Sequence, residues 1–528
     1  MGVPLWTREQ VACRILAGDA LFIRHNKIVR VPQSWLDAHP GGSLAIQHFV
    51  GRDATDEVSA FHSDETMRRM QGYEIAEVEV GEHGWEPLLP PVMSGWVRKR
   101  AQDGTMRWHR EATTLKPLPE EYSETTPSSQ ILLIPQKELQ AQNGPSRASL
   151  EPGPSSLSLE TESQHSQAFK ELHQRIIDAG LYQTRYIGGY GPEVLRYAIF
   201  IIISVLAYRR EWFLTSAFFL GLFWHQVTFT VHDLGHLGVT HKWAVDRLIA
   251  IFIADFMGGL SVGWWVDNHN THHIVTNHPT HDPDIQHLPF FAISPVFFKS
   301  LWSSYYKRVM VFDAFAKVFI RFQHKLFYVI MSLARFNLYA NSYVFLAKTA
   351  FQPPKARGGR WWWWTEVGCL GLFFCWYTAV LRGCGSWQKA LGFLLISNII
   401  PSPLHVQIVL SHFSRSTADM GVKESFPARQ LRTTVDVICS PSIEFIHGGL
   451  HLQVTHHFFP RLPRHNLRAA SILVKEFAKE RGLEYAEFGF VEGNAEVRGT
   501  LKQVADQLKI VGMVADSHVQ EQLDGFKH

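Results

Sequence analysis

The sequence predicts a mixed architecture. A small soluble α+β unit spans residues 1–90, a flexible tether 91–167, an all-α membrane part 168–483, and a cytosolic tail 484–528. Three observations carry this. Long apolar runs are absent from the first third and recur from Val194 onward. The stretch Thr114 to Gln167 turns to Pro, Ser, Glu and Gln, a composition that cannot bury enough apolar surface to offset its chain entropy. Seven of the 28 histidines stand in three short clusters close to apolar runs.

At 528 residues the chain exceeds one compact core. Only 19% of residues are charged and 13% are aromatic, with 36 Phe and 17 Trp, which fits a membrane protein with rings at the headgroup level. A net charge of +3 gives no basis for nucleic-acid binding. The five cysteines form no CxxC pair, which argues against a disulfide framework and a thiolate metal site. Met1 to Leu21 has no apolar segment behind a basic one, so no cleaved signal peptide is expected and the N-terminus is placed in the cytosol.

In the first unit, Ile28 to Val31 reads as a strand and Trp35 to Ala38 as a helical turn stopped by Pro40 and Gly41. His39-Pro40-Gly41-Gly42 and Phe61-His62 are the informative pieces. Two histidines can approach a haem from opposite faces while glycines let the backbone pass its edge. With both axial positions filled no site remains for dioxygen, so such a unit carries electrons. The stretch resembles cytochrome b5 over essentially its whole domain, with Gly51-Arg52-Asp53-Ala54-Thr55 between the two histidines. That resemblance implies haem b on His39 and His62, reduced by an NAD(P)H-dependent cytochrome b5 reductase. On a tether, such a module meets its acceptor at raised effective concentration.

Four spans are expected: Val194 to Tyr208, Trp212 to Thr230, Trp361 to Leu381 and Ala390 to Val409. The first is short, and its Arg196 is expected to snorkel. Leu248 to Trp265 and Leu326 to Leu346 carry polar interruptions. As single spans, each would move a later histidine cluster to the wrong face, so both are read as in-plane helices. Termini and clusters then share the cytosolic side. The basic stretch His241 to Arg360 agrees with that orientation; Arg209 and Arg210, in the opposite turn, do not.

The clusters are His232-Asp233-Leu234-Gly235-His236, His269-Asn270-Thr271-His272-His273 and Gln453-Val454-Thr455-His456-His457. Spacings of three and four residues put His232 with His236, and His269 with His272 and His273, on one helical face each, and His456 and His457 close the set. Seven imidazoles exceed one tetrahedral ion, so two metals are expected. A haem electron carrier in the same chain favours redox-active iron over zinc. Two irons, two electrons and dioxygen can attack an unactivated methylene, leaving an alkene or an alcohol.

These three boxes look like those of the membrane fatty-acid desaturases. Gln453 opening the third box, together with the N-terminal haem unit, is the pattern of front-end desaturases. Trp264-Trp265, Asn268 to Asn277, His281-Asp282-Pro283-Asp284-Ile285-Gln286-His287, Pro403 to Gln407 and Phe459 to Leu467 are similar to the fungal sphingolipid Δ8-desaturases. Val266-Asp267, where a basic residue is expected, and His451 depart from that pattern.

The resemblance implies two iron ions held by His232, His236, His269, His272, His273, His412, His456 and His457, with Gln453 beside them. His405, His447, His451 and His465 become possible outer contacts, and Asp255 is expected to pair with the histidines. The implied reaction is dioxygen-dependent Δ8 desaturation of the long-chain base of a sphingolipid or ceramide drawn from the bilayer, in the endoplasmic reticulum membrane. Alternatives are a front-end fatty-acyl desaturase, a lipid hydroxylase fused to cytochrome b5, and a non-catalytic haem carrier with a zinc-binding domain. The tail, with helical spacing over Val504 to Ile510, is read as a cap without chemistry.

Overall fold

The computed structural model describes residues 3–110, 144–352 and 359–525. The N-terminal unit is built on four strands, β1 Leu5–Trp6, β2 Leu21–Arg24, β3 Lys27–Arg30 and β4 Glu74–Val78, ordered β1-β4-β3-β2. β1 pairs parallel with β4, and the other pairs are antiparallel. His25 and Asn26 join β2 to β3 with φ of 49° and 60°, the two left-handed positions that match a tight hairpin to strand twist. Val11, Ile15, Leu21, Ile23, Ile28 and Val29 are fully buried and form the core. The expected strand and helical turn appear as β3 and helix Gln33–Ala38.

The tether is corrected at both ends. Trp96–Arg100 pairs antiparallel with Met106–Arg110, and this hairpin belongs to the haem-type unit. Trp96 and Trp108 are buried in its core, Trp108 Nε1 donates to Ile15 O at 2.7 Å, and Arg98 Nε donates to Gly18 O at 2.6 Å. The hairpin alternates tryptophan with charge, so it contains no apolar run for a composition scan to find. Leu89 N donates to Leu150 O at 2.8 Å, and helix Leu159–Asp178 lays Phe169 against Phe426, Phe458 and Phe459. The middle of the expected tether, 111–143, lies outside the described residues.

Among the described residues four helices are long and apolar enough to cross a membrane: Tyr186–Arg209, Phe213–Gly235, Trp361–Arg382 and Trp387–Phe413. They match the four expected spans with longer ends. Their outward side chains, among them Ile202, Leu206, Leu214, Leu372 and Leu391, are exposed, the arrangement a lipid solvent favours. The last helix breaks at Ile400-Pro401, where proline supplies no N–H to the helical ladder. Arg196 does not simply snorkel: it donates to Gln226 Oε1 at 2.9 Å and lies over the Phe445 ring.

Between the helix pairs, Trp243–Met257 and Val262–Ile274 bend through 113°. Glu366 holds that bend, accepting from Ser261 Oγ at 2.6 Å and Gly263 N at 3.1 Å while ion-paired to Arg247. Asp255 is fully buried here and accepts from Val262 N at 3.3 Å. Its charged neighbours are Arg247 and Glu366, not the histidines, because the bend turns it away from them. Helices Ala314–Ser332 and Ala334–Thr349 fill the second polar-interrupted stretch. The tail forms helix Phe490–Gly525, which buries Val497, Leu501 and Val504 in a core shared with Ile320 and Phe327.

Candidate metal centre

Each box sits where a helix ends. Helix Phe213–Gly235 delivers His232 in its last turn and His236 as its cap. Gly235 has a steric reason, since a Cβ there would run into the Trp265 ring. Asp233 anchors this end: it accepts from Tyr190 OH at 2.7 Å and from Arg464 Nη1 at 3.1 Å. Arg464 follows the third box, so this buried ion pair ties box one to box three. Helix Val262–Ile274, capped by Ser261, carries His269, His272 and His273. The short helix Gln453–Phe458 carries His456 and His457 with Gln453 one turn earlier on the same face, and Asp436 accepts from Val454 N at 2.8 Å. His412 lies in the last turn of Ser402–Phe413.

The imidazoles fall into two groups. In His232, His236, His269 and His456 one ring nitrogen of each lies within 4.8 Å of all the others; His272, His412 and His457 form a second such group. His273 stands between them. Its Nε2 is 3.1 Å from Nε2 of His269 and of His456, and its ring stacks at 4.1 Å on His457. All eight histidines expected at the irons are therefore assembled. His405, His447, His451 and His465 belong to neither group; His447 meets Gln407 at 2.7 Å, and His465 accepts from Arg185 N at 3.0 Å.

The far side of several rings is held. Asp282 accepts from His272 Nδ1 at 2.9 Å, Gln430 Oε1 from His457 Nδ1 at 3.0 Å, and Thr433 O from His412 Nδ1 at 3.2 Å. Such partners fix tautomer and ring direction, leaving Nε2 for a metal. Burial opposes protonation of His272, yet the carboxylates of Asp282 and Asp284 outweigh it and raise its pKa. Burial and then the neighbouring imidazoles lower His273, His456 and His457, keeping them neutral as ligands must be. The set accommodates two metal ions: Nε2 of His232, His236 and His457 is buried without a partner, as is Gln453 Oε1. A buried polar atom left so costs about 1–3 kcal/mol, which a bound ion would remove. Among the described residues no carboxylate joins either group; an all-imidazole donor set accommodates iron, and the haem domain in the same chain favours iron over zinc.

His39 and His62 face each other with ring centroids 6.0 Å apart. Two metal–nitrogen bonds of about 2 Å plus the ring radii span such a gap. Gly42 O accepts from His39 Nδ1 at 3.0 Å and Val58 O from His62 Nδ1 at 3.2 Å, so both rings turn Nε2 inward. Burial first, then His39, pushes His62 down to about 3. A cavity of about 1220 Å³ opens beside them, walled by Trp35, Ile46, Phe49, Val58 and Met70. The site fits a haem.

That cavity continues to Leu234, His236, Val266 and Asn270 of the membrane part. A Cβ on Gly42 would overlap the Asp267 carboxylate, and one on Gly41 would lie 3.1 Å from Asn270 Nδ2. Asp267, out of pattern in the sequence, thus faces the haem-type loop. Sequence reasoning missed the roles of Asp233, Arg464, Gln430, Asp282 and Asp284. The two aspartates had a signal in His281 to His287; Gln430 had none.

The fatty acid desaturase family matches residues 211–489, and the cytochrome b5-like heme/steroid binding domain matches residues 7–83. A Delta 8-(E)-sphingolipid desaturase of Emericella nidulans is 40% identical over 98% of this chain and 97% of its own. One of Komagataella phaffii is 39% identical over 96% and 94%. A Delta(8)-fatty-acid desaturase 2 of Arabidopsis thaliana is 34% identical over 58% and 68%. The chain belongs to the fatty acid desaturase family, as a membrane oxidoreductase that carries its own cytochrome b5-like haem domain and a histidine site for two irons.

Proposed function

We propose that this enzyme inserts the Δ8 double bond into the long-chain base of a sphingolipid or ceramide. The observation that carries the reading is the presence of two histidine groups beside a haem cavity that reaches His236 of the first, in a chain matched nearly end to end by Delta 8-(E)-sphingolipid desaturases. In the balanced reaction, –CH2–CH2–, dioxygen, two electrons and two protons give –CH=CH– and two waters. Bound irons would supply the oxidant that dioxygen and two electrons generate for removal of unactivated hydrogens.

The protein's own residues hold that chemistry. His232, His236, His269, His272, His273, His412, His456 and His457 serve as iron ligands, and Gln453 stands beside them. His39 and His62 hold haem b. Asp282, Gln430 and the Thr433 carbonyl keep the imidazoles aimed. Phe229, Phe458 and Phe459, close in sequence to the first and third boxes, are buried. Electrons come from an NAD(P)H-dependent cytochrome b5 reductase. Location is the endoplasmic reticulum membrane, with four spans and both termini and the metal centre cytosolic. The haem unit is the expected 1–90 lengthened to 110 by its hairpin, the membrane part is 168–483, and 484–528 is the cap.

Expression in a yeast lacking the activity, followed by lipid profiling, tests this. A new unsaturated long-chain base is expected. New unsaturation confined to fatty acids would instead establish the front-end acyl reading, which the name of the plant relative favours.

A further inference from the structure

We propose that Phe61 is the electron-transfer contact between the two parts, passing electrons from the haem held by His39 and His62 into helix Val262–Ile274 at His273. The inference rests on the ligand roles proposed above. Phe61 is bonded to His62 through one peptide link, and its ring stands edge-on to His273, with centroids 5.8 Å apart at 80°. His273 in turn lies 3.1 Å from both His269 and His456, and stacks on His457. One imidazole therefore touches members of both metal groups.

The contact is built into a packed seam. Ala60 belongs to the core that contains Phe169, Leu452 and Phe458, while Ile274 and Val275 belong to the core of the haem unit. The chain neighbours of both haem ligands land on the same helix: Phe61 against His273, and Gly41 against Asn270. Between His62 and His273 the only interruption of covalent structure is the ring-to-ring contact. A side chain that leaves a gap there loses van der Waals contact outright. With haem and irons bound, each crossing would take one electron from ferrous haem, leaving it ferric, and deliver it to one ferric iron held by the histidine groups, leaving that ferrous. Two crossings supply one double bond, the reductase refills the haem, and Phe61 is neither oxidised nor protonated.

The test uses the full chain in lipid nanodiscs, loaded with haem and iron and free of oxygen. Haem is reduced by a flash, and its reoxidation is followed at the Soret band. Phe61→Leu and Phe61→Met should slow reoxidation by roughly tenfold or more, the scale on which ångström-level misplacement of reacting groups acts. Phe61→Tyr should stay near the parent rate, with haem midpoint potential, haem content and iron content unchanged. Two ring-less variants guard against loss of haem in one of them. Parent-like transfer in either loaded variant overturns the proposal. So does a slowed rate that falls further with added sucrose, since viscosity dependence reports undocking of the haem unit. Absence of haem or iron from the parent protein would defeat the functional reading instead.

Discussion

The proposed haem site and the proposed iron centre are both made of imidazoles, half-buried at His39 and His62 and mostly buried in the two histidine groups, yet they are held in opposite ways. His39 and His62 are oriented by carbonyls three and four residues away, Gly42 O and Val58 O. The iron-centre rings lean on partners far along the chain. His457 uses Gln430, His412 uses Thr433, and Asp233 beside His232 uses Arg464, 231 residues on. The haem site is a property of a local loop and helix. The iron centre is a property of the whole membrane fold, so it should fail under changes that leave the haem untouched.

The sharpest break is a double dissociation. His457→Ala should abolish lipid product while the Soret band stays, and His39→Ala should abolish product while iron analysis still finds the metals. Next is Arg464→Met, which strands buried Asp233 without its cation. Removing one partner of a buried pair costs about 3–5 kcal/mol, so thermal unfolding should show a large loss and the irons should dissociate with haem retained. Asp282→Asn comes third. It keeps the shape but removes the charge behind His272, and iron affinity measured by competition should fall roughly 10- to 100-fold.

The smallest effect lies at the seam. His48 is fully buried with neither ring nitrogen partnered, and burial first, then His278, Arg52 and Arg429, pushes it down to about 3. The unfolded chain takes this proton near 6.5 and the folded chain refuses it, so stability falls as pH drops from 6.5 toward 3. At pH 5 one such group accounts for about 2 kcal/mol, and His48→Leu should remove that part of the acid loss in thermal unfolding curves.

This contrast also explains what the sequence disclosed. His39 and His62 stand in local motifs whose spacing reveals them, and periods of three and four residues showed that each of the first two boxes presents one face. Periodicity could not say that His269 and His272, one turn apart, would join different groups, because that depends on where His412 and the third box arrive. Gln430 sits in an ordinary amphipathic helix, and only the fold carries it to His457. The hairpin around Trp96 and Trp108 escaped notice because isolated tryptophans among arginines look solvated until a groove receives them. Asp255 was paired with the wrong partners for the same reason: at the 113° bend it accepts from Val262 N, beside the Arg247–Glu366 ion pair.

Gly42 shows how such a seam constrains heredity. Its φ of 79° suits a residue without a side chain, and the Asp267 carboxylate fills the space where one would go. The position thus answers to two masters, haem-loop geometry and the facing domain, and relaxing either leaves the other in force. A cytochrome unit grafted from another protein could carry the same His-Pro-Gly-Gly and bind haem perfectly well. It would still be a poor donor unless the remainder of its face matched Asp267 and Asn270, so the two halves of this chain are expected to evolve as a matched pair rather than as exchangeable modules.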